Sequence, residues 1–154
     1  MDVTRLRQRH DEFLAVAEAG GFGPPPAGEW DAGQILAHVA LGEASGAAAS
    51  LAIAAGQRAV YDNRPSLDEW NLQRVMGEAR GAGDMTSLVR RSGELLCDIT
   101  AGLTERELEV SLPVLIISKD QILVDEPRPL RALLAGLGEV HLPAHAEQLR
   151  GLRR

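Results

Sequence analysis

Cysteine is almost missing from this 154-residue chain: Cys97 stands alone, which excludes an intrachain disulfide and any multi-cysteine zinc site. Aromatic residues reach only 3%, too few for the stacking platforms that hold single-stranded nucleic acids. Positive charge is in deficit, with 16 Lys and Arg against 22 Asp and Glu, and a net charge of −6 disfavours a protein that binds by neutralising phosphates. No run approaches the ~20 apolar residues expected of a membrane span. The start, Met1-Asp2-Val3-Thr4-Arg5, leads into a charged segment without an apolar signal core. What is present, 45% hydrophobic and 25% charged residues, is the balance of a single folded domain over residues 1–154. Such a domain is expected in the cytoplasm, without nucleic-acid or membrane partners.

Four long stretches carry helical periodicity. In the first, Val3, Leu6, His10, Phe13, Leu14 and Ala17 share one stripe, and Gly20-Gly21 with Pro24-Pro25-Pro26 ends it. The second opens near Glu29-Trp30-Asp31 and runs to about Gly56, with a small-residue face from Gly46 to Ser50 that suits either the core or a partner helix. A shorter helix is expected from Ser66, whose spacing to Glu69 matches a capping box, to about Gly81. After Gly81-Ala82-Gly83, a third long helix carries Met85, Leu88, Val89, Ser92, Leu95, Leu96, Ile99 and Leu103, with Asp84 or Thr86 as its cap. The period then changes. Val114–Ile117 and Ile122–Val124 are β-favouring runs around Ser118-Lys119-Asp120-Gln121, which predicts a small hairpin or a buried extended crossover. Pro127 and Pro129 lead into a last helix through Leu130, Leu134, His141, His145 and Leu149. The fold class expected is all-α: a four-helix bundle with one long crossover that carries the short β-hairpin.

The four histidines are the most informative residues. His141 and His145, spaced i, i+4, lie on one helix face roughly 6 Å apart along the axis and can converge on a metal ion at ~2.0–2.1 Å. Alternatively they are simply a pair on a polar face. The segment is His141-Leu142-Pro143-Ala144-His145, so the glutamate base of a His-Glu-x-x-His metalloprotease is missing. His38, in the apolar run Ile35-Leu36-Ala37-His38-Val39-Ala40, is either a hydrogen-bonded core residue or a third ligand. Three imidazoles with an open position make a catalytic-type site for zinc or another divalent ion. His10 reads as core or pocket wall. Pro143 lies between the two C-terminal histidines, at a cost of ~3 kcal/mol in a regular helix, so a kink or loosened turn is expected near Glu139.

Gly28-Glu29-Trp30-Asp31 followed by Gln34-Ile35-Leu36-Ala37-His38-Val39 resembles the tryptophan-plus-histidine opening of helix two in the DinB-like proteins. Val140-His141-Leu142-Pro143-Ala144-His145-Ala146-Glu147-Gln148-Leu149 is similar to that family's closing His-x-x-x-His-x-x-Gln-Leu helix. The resemblance implies a four-helix bundle, often a homodimer, in which His38, His141 and His145 hold nickel, zinc or a similar ion. Mycothiol-dependent maleylpyruvate isomerases share the bundle but usually carry glutamate where this chain has His141. The all-histidine set is the branch that includes bacillithiol transferases.

Elsewhere the readings are structural. Cys97 falls off the apolar stripe of its helix, and no histidine stands near it in sequence. Asp62, Asn63 and Asn71 either line the open side of the metal or serve as loop and cap residues. Glu43 either holds an imidazole tautomer or is solvated. Trp30 and Trp70 read as packing anchors. The arginines at 5, 7 and 9 and at 150, 153 and 154 read as solvated faces. Three functions follow as expectations: a metal-dependent transfer of a low-molecular-weight thiol to a small-molecule electrophile, a metal-dependent hydrolysis, or a non-catalytic binding or dimerisation module.

Overall fold

A computed structural model describes residues 3–79 and 84–153, with the side chains of Val3 and Asp84 outside that description. The Gly81-Ala82-Gly83 break, the cap role of Asp84 and the Arg154 end of the basic cluster lie outside the described residues. The chain is mostly helical, with a small three-stranded sheet. Helix α1 spans Val3–Ala19 and ends where Gly20 and Gly21 take φ of +60° and +75°. Helix α2 spans Ala32–Ala54 and opens with a capping box: the Asp31 carboxylate accepts from Gln34 N at 2.8 Å, and the Gln34 side chain accepts from Asp31 N at 3.0 Å.

α2 is the central helix. Its apolar residues lie on all sides, and it packs on α4 (Asp84–Ala101) and on the C-terminal helical stretch. By length and composition it is apolar enough to cross a membrane, contrary to the sequence expectation, but 67% of that window is buried in the fold. Its apolarity therefore serves packing. The small residues Gly46, Ala47, Ala49 and Ser50 face inward, and a Cβ on Gly46 would come within 2.8 Å of Leu137. That face is core, which removes the partner-helix alternative.

Several local expectations change. Ser66 does not cap a helix but ends a 3-10 turn, Arg64–Ser66; helix α3 is Glu69–Ala79, and the Asp68 carboxylate accepts from Asn71 N at 3.0 Å. Thr86 lies inside α4 rather than capping it. Cys97 is buried in the core, and burial pushes its thiol up to about 11, so it is an inert structural thiol. Trp70 is 67% exposed and stacks under the Arg74 guanidinium at 5.5 Å, so it is no packing anchor. Arg7 pairs with Asp98 at 2.9 Å, Arg9 with Glu12 at 2.7 Å, and Arg5 with Glu139 at 3.3 Å.

After a single-turn helix α5 (Glu105–Leu108), the hairpin is longer than its β-favouring core implied: β2 is Ser111–Ser118 and β3 is Gln121–Pro129, antiparallel. Lys119 and Asp120, at φ 48° and 60°, make the left-handed turn that matches strand twist. Pro127 sits within β3 rather than before a helix. A third strand, β1 (Tyr61–Asp62), pairs parallel to β2 with Tyr61 opposite Val114. Asn63 continues that ladder with its side chain, accepting from Ile117 N and donating to Ile117 O, both at 2.8 Å. Two residues carry too little pattern to be recognised as a strand.

The C-terminal stretch is helix α6 (Leu130–Gly136), a π-turn (Leu137–His141) and helix α7 (Leu142–Gly151). The wide turn is the loosening that Pro143 demands. Leu142 N donates to Leu137 O, five residues back, and Pro143 falls in the first turn of α7, where a missing N–H costs nothing.

One polar cluster ties α1, α2 and α4 together. His10 Nδ1 donates to Glu43 Oε1 at 2.7 Å and Ser92 Oγ donates to Glu43 Oε2 at 2.8 Å, all three buried. Glu43 thus holds an imidazole, but that of His10. The ring lies so close to the Gly93 backbone that a Cβ there would fall 1.9 Å from His10 Cε1. Gly93→Ala should therefore lower stability by about 2–3 kcal/mol in urea unfolding. Gly136→Ala, with nothing within 4 Å of its Cβ, should gain up to about 1 kcal/mol. Equal effects of the two changes would contradict this packing.

Candidate metal centre

His38, His141 and His145 meet at the end of α2 that faces the C-terminal stretch, and one nitrogen from each lies within 4.8 Å of the others. Their ring centroids stand 4.9, 4.7 and 4.6 Å apart, forming a triangle of imidazoles. His38 is buried at 4% exposure, while His141 and His145 are only half-buried, so the cluster is closed on the α2 side and reachable from the other. Trp30 packs on His38 at 4.9 Å between ring centroids and covers that edge.

Two hydrogen bonds assign the tautomers. His38 Nδ1 donates to the Ser66 carbonyl at 2.8 Å, which leaves Nε2 with its lone pair. His145 Nδ1 donates to Gln148 Oε1 at 2.9 Å, with the same result for its Nε2. His141 Nε2 sits 2.9 Å from His38 Nε2 and donates to it, while His141 Nδ1 is buried with no partner. The Ser66 carbonyl reaches His38 because the 3-10 turn Arg64–Ser66 packs on α2. Ser66 Oγ, in turn, donates to the Asn63 carbonyl at 2.8 Å, so the strand–turn segment is rigid where it touches the site.

The rings are held neutral. Burial lowers the His38 pKa to about 4, aided by the neighbouring His145 and opposed by the Ser66 carbonyl. Burial, then His145 and His38, push His141 well below the ordinary histidine value, and burial also lowers His145, against the Gln148 hydrogen bond. Neutral imidazole is the form that binds metals.

The residues fit a divalent cation. Three nitrogens, no carboxylate and no thiolate suit zinc, nickel or copper rather than magnesium or calcium. The nitrogens of a tetrahedral ion bound at ~2.0–2.1 Å stand ~3.4 Å apart, which small ring rotations reach from the spacings here. The approach of His38 Nε2 and His141 Nε2 to 2.9 Å, with His145 beside them and no carboxylate between, is an arrangement that a divalent cation would fit.

Comparison of the chain with protein-family models, curated proteins and solved structures returns no match. Function is therefore read from the site's own chemistry.

All three histidines singled out in the sequence converge, and His10 does not join them. Asp62, Asn63 and Asn71 have other duties: Asp62 accepts from the Arg64 guanidinium at 2.9 Å, Asn63 pairs with the Ile117 backbone, and Asn71 donates to the Pro65 carbonyl at 3.0 Å. Sequence reasoning missed the roles of Ser66 and Gln148. Gln148, three residues after His145, carried a helical-spacing signal; the Ser66 contribution is a carbonyl, which has none.

For the metal-free protein the pH response follows by linkage. Unfolded histidine takes a proton near pH 6.5 but folded His38 only near pH 4, so the unfolded state binds more protons between those values. Stability is whole above that window and falls as pH drops through it, by on the order of 3 kcal/mol from His38 alone. Urea midpoints of the metal-free protein at about pH 7 and about pH 4.5 check this, and His38→Gln should flatten the loss. Identical slopes for wild type and variant would contradict it.

Proposed function

We propose that this chain is a metal-dependent protein of the DinB-like, four-helix-bundle kind, in which His38, His141 and His145 hold zinc or nickel. Its reaction joins a low-molecular-weight thiol to a small electrophile. The observation that carries the reading is the meeting of three neutral imidazoles from helices a hundred residues apart, two of them with Nδ1 held by hydrogen bonds so that Nε2 keeps its lone pair. The bundle reading draws support from α1, α2, α4 and the α6–α7 stretch, which share one core, while the β2–β3 hairpin occupies the long connection between α4 and α6. A homodimer, as the resemblance implies, belongs to the same proposal.

When bound, the ion supplies Lewis acidity and lowers the pKa of a coordinating thiol toward neutrality. The protein's own contribution is preorganisation. Ser66 and Gln148 orient the rings, burial keeps them unprotonated, and Trp30 shields one edge from water. A hydrolase would need a general base beside the histidines, and the buried carboxylate of the core, Glu43, is instead engaged by His10 and Ser92. A purely dimerising module is disfavoured because the small-residue face of α2 is consumed in the core.

Metal analysis of protein purified without an affinity tag should give about one zinc or nickel per chain, lost in His38→Ala and His141→Ala. Gln148→Leu should retain binding but weaken it roughly 10–100-fold, the usual cost of losing a ligand's orienting partner. Turnover of an electrophile should require added thiol. Near-zero stoichiometry that neither ion restores would overturn the proposal.

A further inference from the structure

Gly42 lies one turn after His38 on α2, and a Cβ placed on it would meet His141 Cε1 at 3.5 Å, Tyr61 Oη at 3.8 Å and His141 Nε2 at 3.9 Å. These are ordinary van der Waals separations, so the point is a space of about one methyl group that the protein leaves unfilled. Gly46 and Gly93 differ: there a Cβ would come within 2.8 Å and 1.9 Å of a neighbouring side chain, and packing demands the glycine. Nothing in the packing demands Gly42, although glycine weakens a helix interior relative to alanine. The niche it keeps open borders a ligand histidine on one side and a phenol on the other.

Tyr61 supplies the second observation. Its side chain is 3% exposed, pinned by the pairing of β1 with β2, yet no described residue accepts a hydrogen bond from its hydroxyl. The hydroxyl oxygen itself is not sealed from solvent, so its donor is open to a ligand rather than stranded in the core. Here the unfilled donor stands at the rim of the niche.

We infer that the space over Gly42 is the subsite for the oxygen atom of the electrophile, a small carbonyl or carboxylate compound, and that Tyr61 Oη donates the hydrogen bond that orients it. This rests on the metal reading above. Tyr61 is the specificity element: it selects an oxygen acceptor over an apolar group, and the missing Cβ admits it next to the His141 ring. The histidines hold the ion; Tyr61 and Gly42 decide what is bound beside it.

The test uses cobalt-loaded protein with acetate as the oxygen-bearing probe, read by the visible cobalt absorption. Wild type should take up cobalt and show a saturable spectral change with acetate. Tyr61→Phe should keep cobalt affinity and the acetate-free spectrum but bind acetate about tenfold more weakly. Gly42→Ala should keep cobalt and an equal or higher melting temperature, yet lose the acetate response. If both variants load cobalt and bind acetate as tightly as wild type, the subsite is overturned while the metal reading stands. If wild type takes up no cobalt, the metal reading fails and the subsite falls with it.

Discussion

The hydrogen bonds made by the far nitrogens of two imidazoles decide what the rest of this molecule can do. With His38 Nδ1 committed to a backbone carbonyl and His145 Nδ1 to an amide oxygen, each ring must turn an Nε2 lone pair inward. Burial then makes protonation the costly escape, so the cluster is left with acceptors facing acceptors and one donor, His141 Nε2–H, between three rings. The fold's peculiarities serve this arrangement. A 3-10 turn presses a carbonyl against α2, and a π-turn carries His141 past a proline without losing its facing to His145.

The fourth histidine shows by contrast what a structural imidazole looks like. His10 is as buried as His38 but is matched with a carboxylate, and that carboxylate is matched again by Ser92. Such a network ties three helices together, and its worth is specificity of packing more than net stabilisation. His38, His141 and His145 have only neutral partners among the described residues. Opposite treatment of chemically identical side chains, one given an acid and three given none, separates a core pair from a cluster that could hold a cation.

Much of this was legible in the residues. Helical periodicity located the long helices, Glu29-Trp30-Asp31 marked the opening of α2, the change of period announced the hairpin, and Pro143 announced a loosened turn. The misreadings share a cause. Spacing along one element misplaces the Ser66 cap, the off-stripe position of Cys97 and the packing of Trp70, because each depends on which other element lies across from it. β1 is two residues long and exists because β2 is there to pair with it.

The sequence by itself determined the inventory of possible ligands: four histidines, one cysteine, and a helical repeat that puts His141 and His145 on one face. A period of 3.6 residues is a local property, and local properties survive without knowledge of neighbours. Only tertiary structure decided that His38 joins that pair while His10 does not, and that Tyr61 stands beside the niche over Gly42. Those outcomes depend on contacts across a hundred residues of chain, where packing against a partner element, rather than periodicity within one, sets which side chains meet.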